Sequence, residues 1–307
     1  MLADLLKSMR YRGWTKNLLV FGALFFVPGA VTQTTAISRS LLAFVGFCLL
    51  SSTMYIINDV ADINRDRIHP IKKNRPIASG RLSSSNALLF AFFLLFSAFA
   101  IAFYLDLASF TIPLFEKVRH VQYGVTITFG AYFILTVLYS IVLKRVPFLD
   151  VIIIAVGFVL RAVAGAAALN VEISQWLLLC TFLLSVYLAL AKRRGEILEL
   201  GEDSANHREN LADYSIPLID QLLSIIAATN IISYSLYTFL ADNARGTYLM
   251  VTIPMVIFGI FRYQSLIITR NEGANPEEIF LRDRHLQIDI LVWLIAVIIA
   301  FKFTQTG

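Results

Sequence analysis

The sequence predicts an all-α polytopic membrane protein with about nine transmembrane helices. Hydrophobic residues make up 58% of the 307 residues and charged residues only 15%, whereas about a quarter of a soluble domain is charged. Apolar runs of about 20 residues, the length that crosses a bilayer, recur along the chain. Lipid offers no hydrogen-bond partners to the backbone, so runs of this length must be helical.

Nine spans can be drawn through these apolar runs. They cover residues 16–31, 38–60, 84–105, 122–143, 148–169, 173–191, 216–240, 247–268 and 286–303. Neither a linker nor an internal repeat divides the sequence. We therefore predict one integral-membrane domain over residues 1–307.

Basic residues are concentrated on one side of the predicted spans. Most of the 26 lysines and arginines lie before the first span or after an even-numbered span, and Arg161 lies inside the fifth. Because basic loops stay in the cytoplasm, we expect a cytoplasmic amino terminus and an external carboxyl terminus, in the inner or plasma membrane of a cell. This asymmetry accounts for the net charge of +5, so we predict no binding of nucleic acid.

An acidic stripe emerges from the second predicted span. Asn58, Asp62 and Asp66 are spaced four residues apart, so on a helix they share one face, and Asp59 lies close to it. Stacked carboxylates repel one another, and a divalent cation would relieve that repulsion. Oxygen ligands without thiolates favour Mg²⁺, which binds best through one or two carboxylates and substrate phosphates. The stripe therefore predicts a magnesium site that takes a phosphorylated ligand.

Basic residues follow the acidic stripe directly. Lys72 and Arg75 stand where the oxygens of a phosphate would need donors. For Arg81, a solvated loop that fixes the topology is the preferred interpretation. Pro70 disfavours a helical conformation at His69, so we expect the helix to end there.

These residues resemble the first aspartate-rich motif of the UbiA superfamily of intramembrane prenyltransferases, N-D-x-x-D-x-x-x-D followed by R-P-I-A-S-G. The sequence H-P-x-K-x-x-R-P at residues 69–76 most resembles one branch, the decaprenyl-phosphate phosphoribosyltransferases. Further stretches similar to that branch lie at residues 12–17, 138–144, 161–165 and 190–196. The resemblance implies a nine-helix bundle with a cytoplasm-facing cavity.

The resemblance also implies a reaction. It is the Mg²⁺-dependent transfer of 5-phosphoribose from phosphoribosyl pyrophosphate to a polyprenyl, decaprenyl-like, phosphate, in cell wall biosynthesis. Asn58, Asp62 and Asp66 would hold the metal, and Lys72 joins the two aspartates in the predicted catalytic set. Basic side chains would take up the charge that develops on the leaving pyrophosphate. The residues expected to contact substrates are Lys16, Asn17, Asp59, Arg75, Tyr139, Lys144, Arg161, Lys192, Arg193 and Arg282.

Two features refine this prediction. A charge inside a span costs at least ~3 kcal/mol on insertion scales, so we expect Arg161 to face the cavity, on a substrate phosphate or on an acid. UbiA enzymes that prenylate aromatic rings carry a second D-x-x-x-D cluster after the sixth span, whereas this chain has K-R-R-G-E at residues 192–196. One acidic cluster and one basic cluster suit a single Mg²⁺ and several phosphate groups.

Two alternatives stay open. An aromatic prenyltransferase would use a polyprenyl diphosphate donor and a 4-hydroxybenzoate-like acceptor, with Glu196, Glu199 and Asp203 in place of the second aspartate cluster. A transporter would show paired repeats and polar groups near the midplane, whereas here the polar residues gather at one face. The oligomeric state is left open, with a homo-oligomer among the alternatives.

Overall fold

The structure, a computed structural model, describes residues 2–27, 29–68, 72–111, 123–172, 174–200, 213–240, 248–270 and 276–303. Within these ranges the chain consists of α-helices, short 3₁₀ segments and turns, and no β-strand is present. Seven helices in the described ranges are long and apolar enough to cross a membrane. The all-α membrane prediction is therefore confirmed.

The helices are as follows. They are α1 Leu2–Ser8, α2 Gly22–Phe26, α3 Thr34–Ala61, α4 Ile63–Ile68, α5 Ser84–Thr111, α6 Gly124–Ile141, α7 Leu149–Leu169, α8 Gln175–Leu200, α9 Ile216–Leu240, α10 Ile253–Arg270, α11 Pro276–Arg282 and α12 Arg284–Phe303. The 3₁₀ segments are Tyr11–Phe21, Ala30–Thr32, Lys72–Asn74, Leu143–Arg145 and Met250–Thr252.

The predicted count of nine spans is not confirmed. The first, residues 16–31, is not one continuous α-helix, because it combines the 3₁₀ segment Tyr11–Phe21, the five-residue α2 and a left-handed turn at Gly29 with φ 77°. The ninth, residues 286–303, falls within the 20-residue α12, and its crossing of the membrane stays a prediction. The other seven predicted spans each coincide with a membrane-length helix.

Large apolar side chains cover the outside of these helices. On α5, Phe92, Phe93 and Phe96 are 64%, 62% and 67% exposed. A surface of this kind is stable only against lipid, since water would oppose its exposure. The chain is a multi-pass membrane protein.

The chain divides into two compact units. Unit 1 comprises Met1–Ile141 and Leu160–Ile173, and unit 2 comprises Val142–Val159 and Ser174–Gly307. The single domain over residues 1–307 stays a prediction.

Unit 1 packs α3 against α5 and α6. Phe47 and Phe129 are fully buried and meet edge to face, with ring centroids 5.2 Å apart. At the amino-terminal end of α3, the buried Arg39 donates hydrogen bonds to the carbonyl oxygens of Ala168 (2.6 Å) and Leu105 (2.7 Å). These two bonds give the buried guanidinium partners in a setting that offers no water.

A backbone contact joins α7 to the Tyr11–Phe21 segment within unit 1. A Cβ atom added at Gly165 would overlap the carbonyl oxygen of Val20. Only glycine permits this approach. Arg161 lies one helical turn before Gly165, on the same face of α7.

Unit 2 packs α8, α9 and α10 around a core that contains Tyr187, Leu223 and Ile267. At the start of α12, Asp283 accepts a hydrogen bond from the backbone N–H of Leu286 at 2.9 Å, which is an N-cap. The guanidinium of Arg262 donates to both carboxylate oxygens of Asp283, at 2.6 and 3.3 Å.

We predict that Gly165→Ala lowers the thermal unfolding temperature in detergent by about 2 to 6 °C, because overpacking typically costs ~1–3 kcal/mol. The matched control is Gly130→Ala on α6, where an added Cβ meets nothing within 4 Å and the helix gains propensity. An unchanged unfolding temperature for Gly165→Ala, next to an unchanged control, would contradict this packing.

The N-cap at Asp283 predicts that the stability of the fold depends on pH. The Arg262 hydrogen bonds hold the pKa of the Asp283 carboxyl at about 2, below its ordinary value of 3.8. The charged form therefore stabilises the fold above the ordinary value, and this contribution is lost as the pH falls from about 4 toward 2. The difference in unfolding temperature between wild type and Asp283→Asn should be largest near pH 7 and shrink below pH 4. Glu278→Gln, at an exposed ion pair with Arg282, should show little difference at any pH.

Candidate metal and phosphate site

The acidic stripe lies at a break between two helices. α3 ends at Ala61, Asp62 takes φ −95° and ψ 12°, and α4 begins at Ile63. The backbone N–H of Asp62 nevertheless donates to the carbonyl of Asn58, and that of Asp66 to the carbonyl of Asp62, both at 2.9 Å. The helical hydrogen-bond pattern therefore continues through the break, and the spacing that places Asn58, Asp62 and Asp66 on one face is kept. Helix α4 is described to Ile68, and the predicted end at residues 69–70 lies outside the described residues.

Burial differs along the stripe. Asn58 and Asp62 are half-buried, whereas Asp59 and Asp66 are 3% and 4% exposed. Asp62 takes the sparsely populated backbone region in which many active-site residues are found. The stripe thus offers two accessible oxygen-bearing side chains beside two buried carboxylates.

Two arginines hold the buried carboxylates. Nη1 of Arg75 donates to Oδ2 of Asp66 at 2.6 Å and to Oδ1 of Asp59 at 3.1 Å. Nη2 of Arg10 pairs with the same Oδ1 of Asp59, and the Arg10 guanidinium lies 5.1 Å from the centre of the Tyr55 ring. We call Arg10, Asp59, Asp66 and Arg75 the arginine–carboxylate quartet. Two guanidinium groups and two carboxylates make it electrically neutral.

The R-P-I-A-S-G run explains why Arg75 reaches the stripe. Gly80 has φ 77°, and its N–H donates to the carbonyl of Ile77 at 3.1 Å, which turns the chain tightly. Ile77 and Leu82 are 1% and 2% exposed and pack in one cluster with Ile56 of α3. Burial of each such side chain contributes about 1.5–3 kcal/mol. The apolar residues of the motif therefore anchor the run against α3 and fix the position of Arg75 at its start.

Sequence reasoning missed Arg10, which was attributed only to membrane topology. Arg10 has φ 49° and ψ 50°, the left-handed region that costs a non-glycine residue on the order of 1 kcal/mol or more. The preceding carbonyl of Met9 accepts a hydrogen bond from Ser52 on α3 at 3.0 Å. Because 49 positions separate Arg10 from Asp59, no local spacing could have revealed the pair.

The amino-terminal motif at residues 12–17 lies along α3. Nε1 of Trp14 donates to the Ser52 hydroxyl at 3.1 Å. The Asn17 amide is buried and donates to Ser51 at 3.1 Å and to Sγ of Cys48 at 3.3 Å. Lys16, between them, is half-buried. The motif is therefore fixed to one face of α3.

Arg161 completes this arrangement inside unit 1. Its Nε donates to Oδ1 of Asn17 at 2.9 Å and its Nη2 to the Tyr132 hydroxyl at 3.0 Å. The guanidinium lies 5.0 Å from the Tyr132 ring centre and 5.4 Å from that of Phe47, and Arg161 is 6% exposed. These contacts indicate that Arg161 orients Asn17, while the predicted ligand contact of Arg161 stays a prediction.

Other predicted residues of unit 1 lie near these elements in the chain. Lys72 begins the 3₁₀ segment Lys72–Asn74 and is half-buried. Tyr139 lies on α6, seven residues after Tyr132, and is also half-buried. Seven residues are two helical turns, so the two tyrosines share a face of α6. Their predicted roles at the substrate stay predictions.

The remaining predicted residues belong to unit 2. Lys144 lies in the 3₁₀ segment Leu143–Arg145. Lys192 is 44% exposed and its Nζ lies 3.9 Å from Glu196. Arg282 is 78% exposed and paired with Glu278 at 3.0 Å. Exposed pairs of this kind leave the cation accessible and contribute less than about 1 kcal/mol to stability.

Arg193 has a different environment in unit 2. It is 2% exposed, its Nε donates to Oδ2 of Asp150 at 2.9 Å, and it also pairs with Glu196. The Tyr214 hydroxyl donates to Oδ1 of Asp150 at 2.8 Å, and burial raises the pKa of Tyr214, so the hydroxyl keeps its proton. These buried contacts indicate that Arg193 stabilises unit 2. Its predicted substrate contact stays a prediction, and sequence reasoning missed Asp150 and Tyr214.

The acidic stripe was also compared with the needs of Mg²⁺. Its donors are carboxylate and amide oxygens, which suit this ion. Within the described residues, no group of three His, Cys, Asp or Glu side chains is arranged to hold a metal, and Asp66 is engaged by Arg75. The residues therefore fit an ion held by one or two carboxylates and completed by ligand phosphates, with Asn58, Asp62 and a released Asp66 as candidate ligands.

We predict that Arg161→Lys lowers the thermal unfolding temperature by several degrees, because the point charge of lysine cannot serve both Asn17 and Tyr132, and each buried group left unsatisfied costs about 1–3 kcal/mol. Tyr132→Phe removes one of these partners only and should have a smaller effect. Unfolding of Arg161→Lys at the wild-type temperature would show that the buried contacts contribute nothing.

The chain was compared with known proteins. It is 31% identical to decaprenyl-phosphate phosphoribosyltransferase of Mycolicibacterium smegmatis, over 99% of this chain and 94% of that protein. It is 32% identical to the protein of the same name from Corynebacterium glutamicum, over 97% of this chain and 87% of that protein. Both similarities extend through unit 1 and unit 2.

Solved structures show the same fold. A UbiA homolog from Archaeoglobus fulgidus, bound to GPP and Mg²⁺, superposes with a TM-score of 0.71 at 18% identity, over 97% of this chain and 99% of that chain. Residues 18–282 match the model of the UbiA prenyltransferase family. The chain belongs to the UbiA prenyltransferase family.

Proposed function

We propose that the protein transfers 5-phosphoribose from phosphoribosyl pyrophosphate to a polyprenyl phosphate and releases pyrophosphate. The observation that carries this proposal is the position of Arg75, whose guanidinium lies 2.6 Å from Asp66. A magnesium–pyrophosphate group needs oxygen ligands for the metal and hydrogen-bond donors for the phosphates side by side. The contact between Arg75 and Asp66 brings one candidate of each kind together. The relatives named decaprenyl-phosphate phosphoribosyltransferases support the choice of donor and acceptor.

Different residues of the chain would have different roles in this reaction. Asn58, Asp62 and Asp66 would hold Mg²⁺, which neutralises charge on the leaving pyrophosphate when bound. Arg75 and Lys72 would donate hydrogen bonds to phosphate oxygens. The acceptor phosphate is already an anion, so it needs no general base to remove a proton. The polyprenyl tail would lie among the apolar helices.

We further propose that the site opens to the cytoplasm. The donor is charged and soluble in water, so it has to arrive from an aqueous phase. Basic residues at positions 72–81 follow the acidic stripe in the chain, and Arg10 of the basic amino-terminal segment pairs with Asp59 beside it. Such basic segments stay in the cytoplasm. We therefore propose that the protein lies in the cell membrane with its amino terminus in the cytoplasm.

A second candidate reaction is aromatic prenyl transfer. The Archaeoglobus fulgidus homolog with GPP and Mg²⁺ shows that this fold accepts a prenyl diphosphate. Such a donor also ends in a pyrophosphate, so the acidic stripe alone does not separate the two reactions. Glu196, which would help to replace the second aspartate cluster, is engaged by Arg193, and Asp203 lies outside the described residues.

A paired assay separates the two reactions. Purified protein in detergent with Mg²⁺ is offered labelled phosphoribosyl pyrophosphate with a polyprenyl phosphate, and separately a polyprenyl diphosphate with labelled 4-hydroxybenzoate. We expect a labelled lipid in the first mixture only. Lipid labelling in the second mixture alone would replace our proposal by aromatic prenylation.

Asp62→Asn should reduce turnover by about 100-fold or more, since the amide keeps the shape but loses the charge that binds the metal. The unfolding temperature should stay close to that of wild type, because Asp62 is only half-buried. Asp213→Asn, at an exposed position, is the matched control and should retain full turnover. Full turnover in Asp62→Asn would remove Asp62 from the catalytic set.

A further inference from the structure

Arg75 and the proposed metal compete for one carboxylate. Arg75 donates to Oδ2 of Asp66 at 2.6 Å. A magnesium ion binds a carboxylate oxygen at about 2.1 Å, so an ion on that oxygen would lie against the guanidinium, and the two positive charges would repel each other. Asp66 can therefore offer this oxygen to the metal only after the contact between Oδ2 and Arg75 breaks.

Arg75 has a second carboxylate partner, Asp59. The distance from Nη1 of Arg75 to Oδ1 of Asp59 is 3.1 Å, and Asp59 is 3% exposed. A carboxylate so deeply buried needs cations nearby, since breaking such a pair leaves an uncompensated buried charge and is strongly destabilising. When Asp66 is taken by a metal, Asp59 therefore keeps Arg75 close to the stripe.

The charges of the quartet then favour an anion. With Asp66 on the metal, Arg10, Arg75 and Asp59 together carry one net positive charge. The Arg75 side chain is 28% exposed, so a ligand can reach it. The N–H group that had served Asp66 needs a new acceptor, and a phosphate oxygen of a metal-bound ligand would supply one.

We propose that Arg75 exchanges partners: it holds Asp66 before ligands bind, gives Asp66 up to the metal, and then, still tied to Asp59, donates to the metal-bound phosphate. The inference rests on the proposed function and deepens it. In this scheme Asp59 and Arg10 are positioning residues that act on Arg75, whereas the sequence predicted Asp59 as a substrate contact. Metal and phosphate should bind cooperatively, because either ligand favours the state in which Arg75 has left Asp66.

The test measures Mn²⁺ binding by electron paramagnetic resonance on the whole protein in detergent, with and without inorganic pyrophosphate. Wild type should bind Mn²⁺ weakly alone and at least about tenfold more tightly with pyrophosphate. Arg75→Gln should bind Mn²⁺ alone about 3- to 10-fold more tightly than wild type, because Asp66 is no longer held. The enhancement by pyrophosphate should fall to about threefold or less in this variant.

Arg65→Gln is the matched control. Arg65 is exposed and precedes Asp66 in the chain, so its loss removes the same charge without touching the quartet. It should change Mn²⁺ affinity by less than about twofold and leave the pyrophosphate enhancement intact. A gain in Mn²⁺ affinity equal to that of Arg75→Gln would attribute the effect to net charge and overturn the exchange.

A second variant keeps the proposal testable if Arg75→Gln does not fold. Asp59→Asn weakens the hold on Arg75 without removing a proposed metal ligand, so the pyrophosphate enhancement should fall while Mn²⁺ alone binds no more tightly than in wild type. An enhancement equal to that of wild type would contradict the role of Asp59. Unchanged or weaker binding of Mn²⁺ alone by a folded Arg75→Gln would contradict the exchange.

The two proposals can fail separately. If wild type and the variants show the expected Mn²⁺ pattern but the protein transfers no phosphoribose, the exchange stands and the proposed reaction is wrong. If the protein transfers phosphoribose while Arg75→Gln binds Mn²⁺ no more tightly, the reaction stands and the exchange is wrong. Absence of Mn²⁺ binding by wild type, with and without pyrophosphate, would contradict both.

Discussion

Buried carboxylates have to be paired with cations, and this constraint organises the end of α3. Asp59 and Asp66 are 3% and 4% exposed, and each would cost several kcal/mol if left unpaired. Arg10 and Arg75 supply the cations from two separate segments. The amino-terminal segment and the R-P-I-A-S-G run are thereby both tied to α3. The same ion pairs stabilise the fold and hold two guanidinium groups beside these carboxylates before any ligand arrives.

A second set of polar contacts, inside the membrane helices, supports the arginine–carboxylate quartet. Arg161 donates to Asn17, and Asn17 donates to Ser51 on α3. Inside a bilayer such groups have few alternative partners, so the contacts hold the amino-terminal segment in one place. Gly165, one turn after Arg161, lets the backbone of that segment approach α7. The short motifs at residues 12–17 and 161–165, which lie far apart in the chain, are two sides of one contact.

Much of this was accessible from the sequence because it depends on local periodicity. Apolar runs of bilayer length gave seven helices correctly, and the four-residue spacing from Asn58 to Asp66 survives the break at Asp62. The first predicted span is not one continuous α-helix, and an apolar run alone does not show that a polar residue within it, such as Asn17, bonds to a neighbouring helix. Arg10 and Tyr214 were missed because their partners Asp59 and Asp150 lie 49 and 64 positions away. Pairings of that kind are set by tertiary packing, which spacing does not encode.

The central claim is that the acidic stripe binds a magnesium–pyrophosphate group. Isothermal titration calorimetry of inorganic pyrophosphate into the purified protein, with Mg²⁺ and then with a chelator, tests it most directly. The account predicts saturable binding that requires the divalent ion. Pyrophosphate that binds equally well in the chelator, or not at all in Mg²⁺, would contradict it.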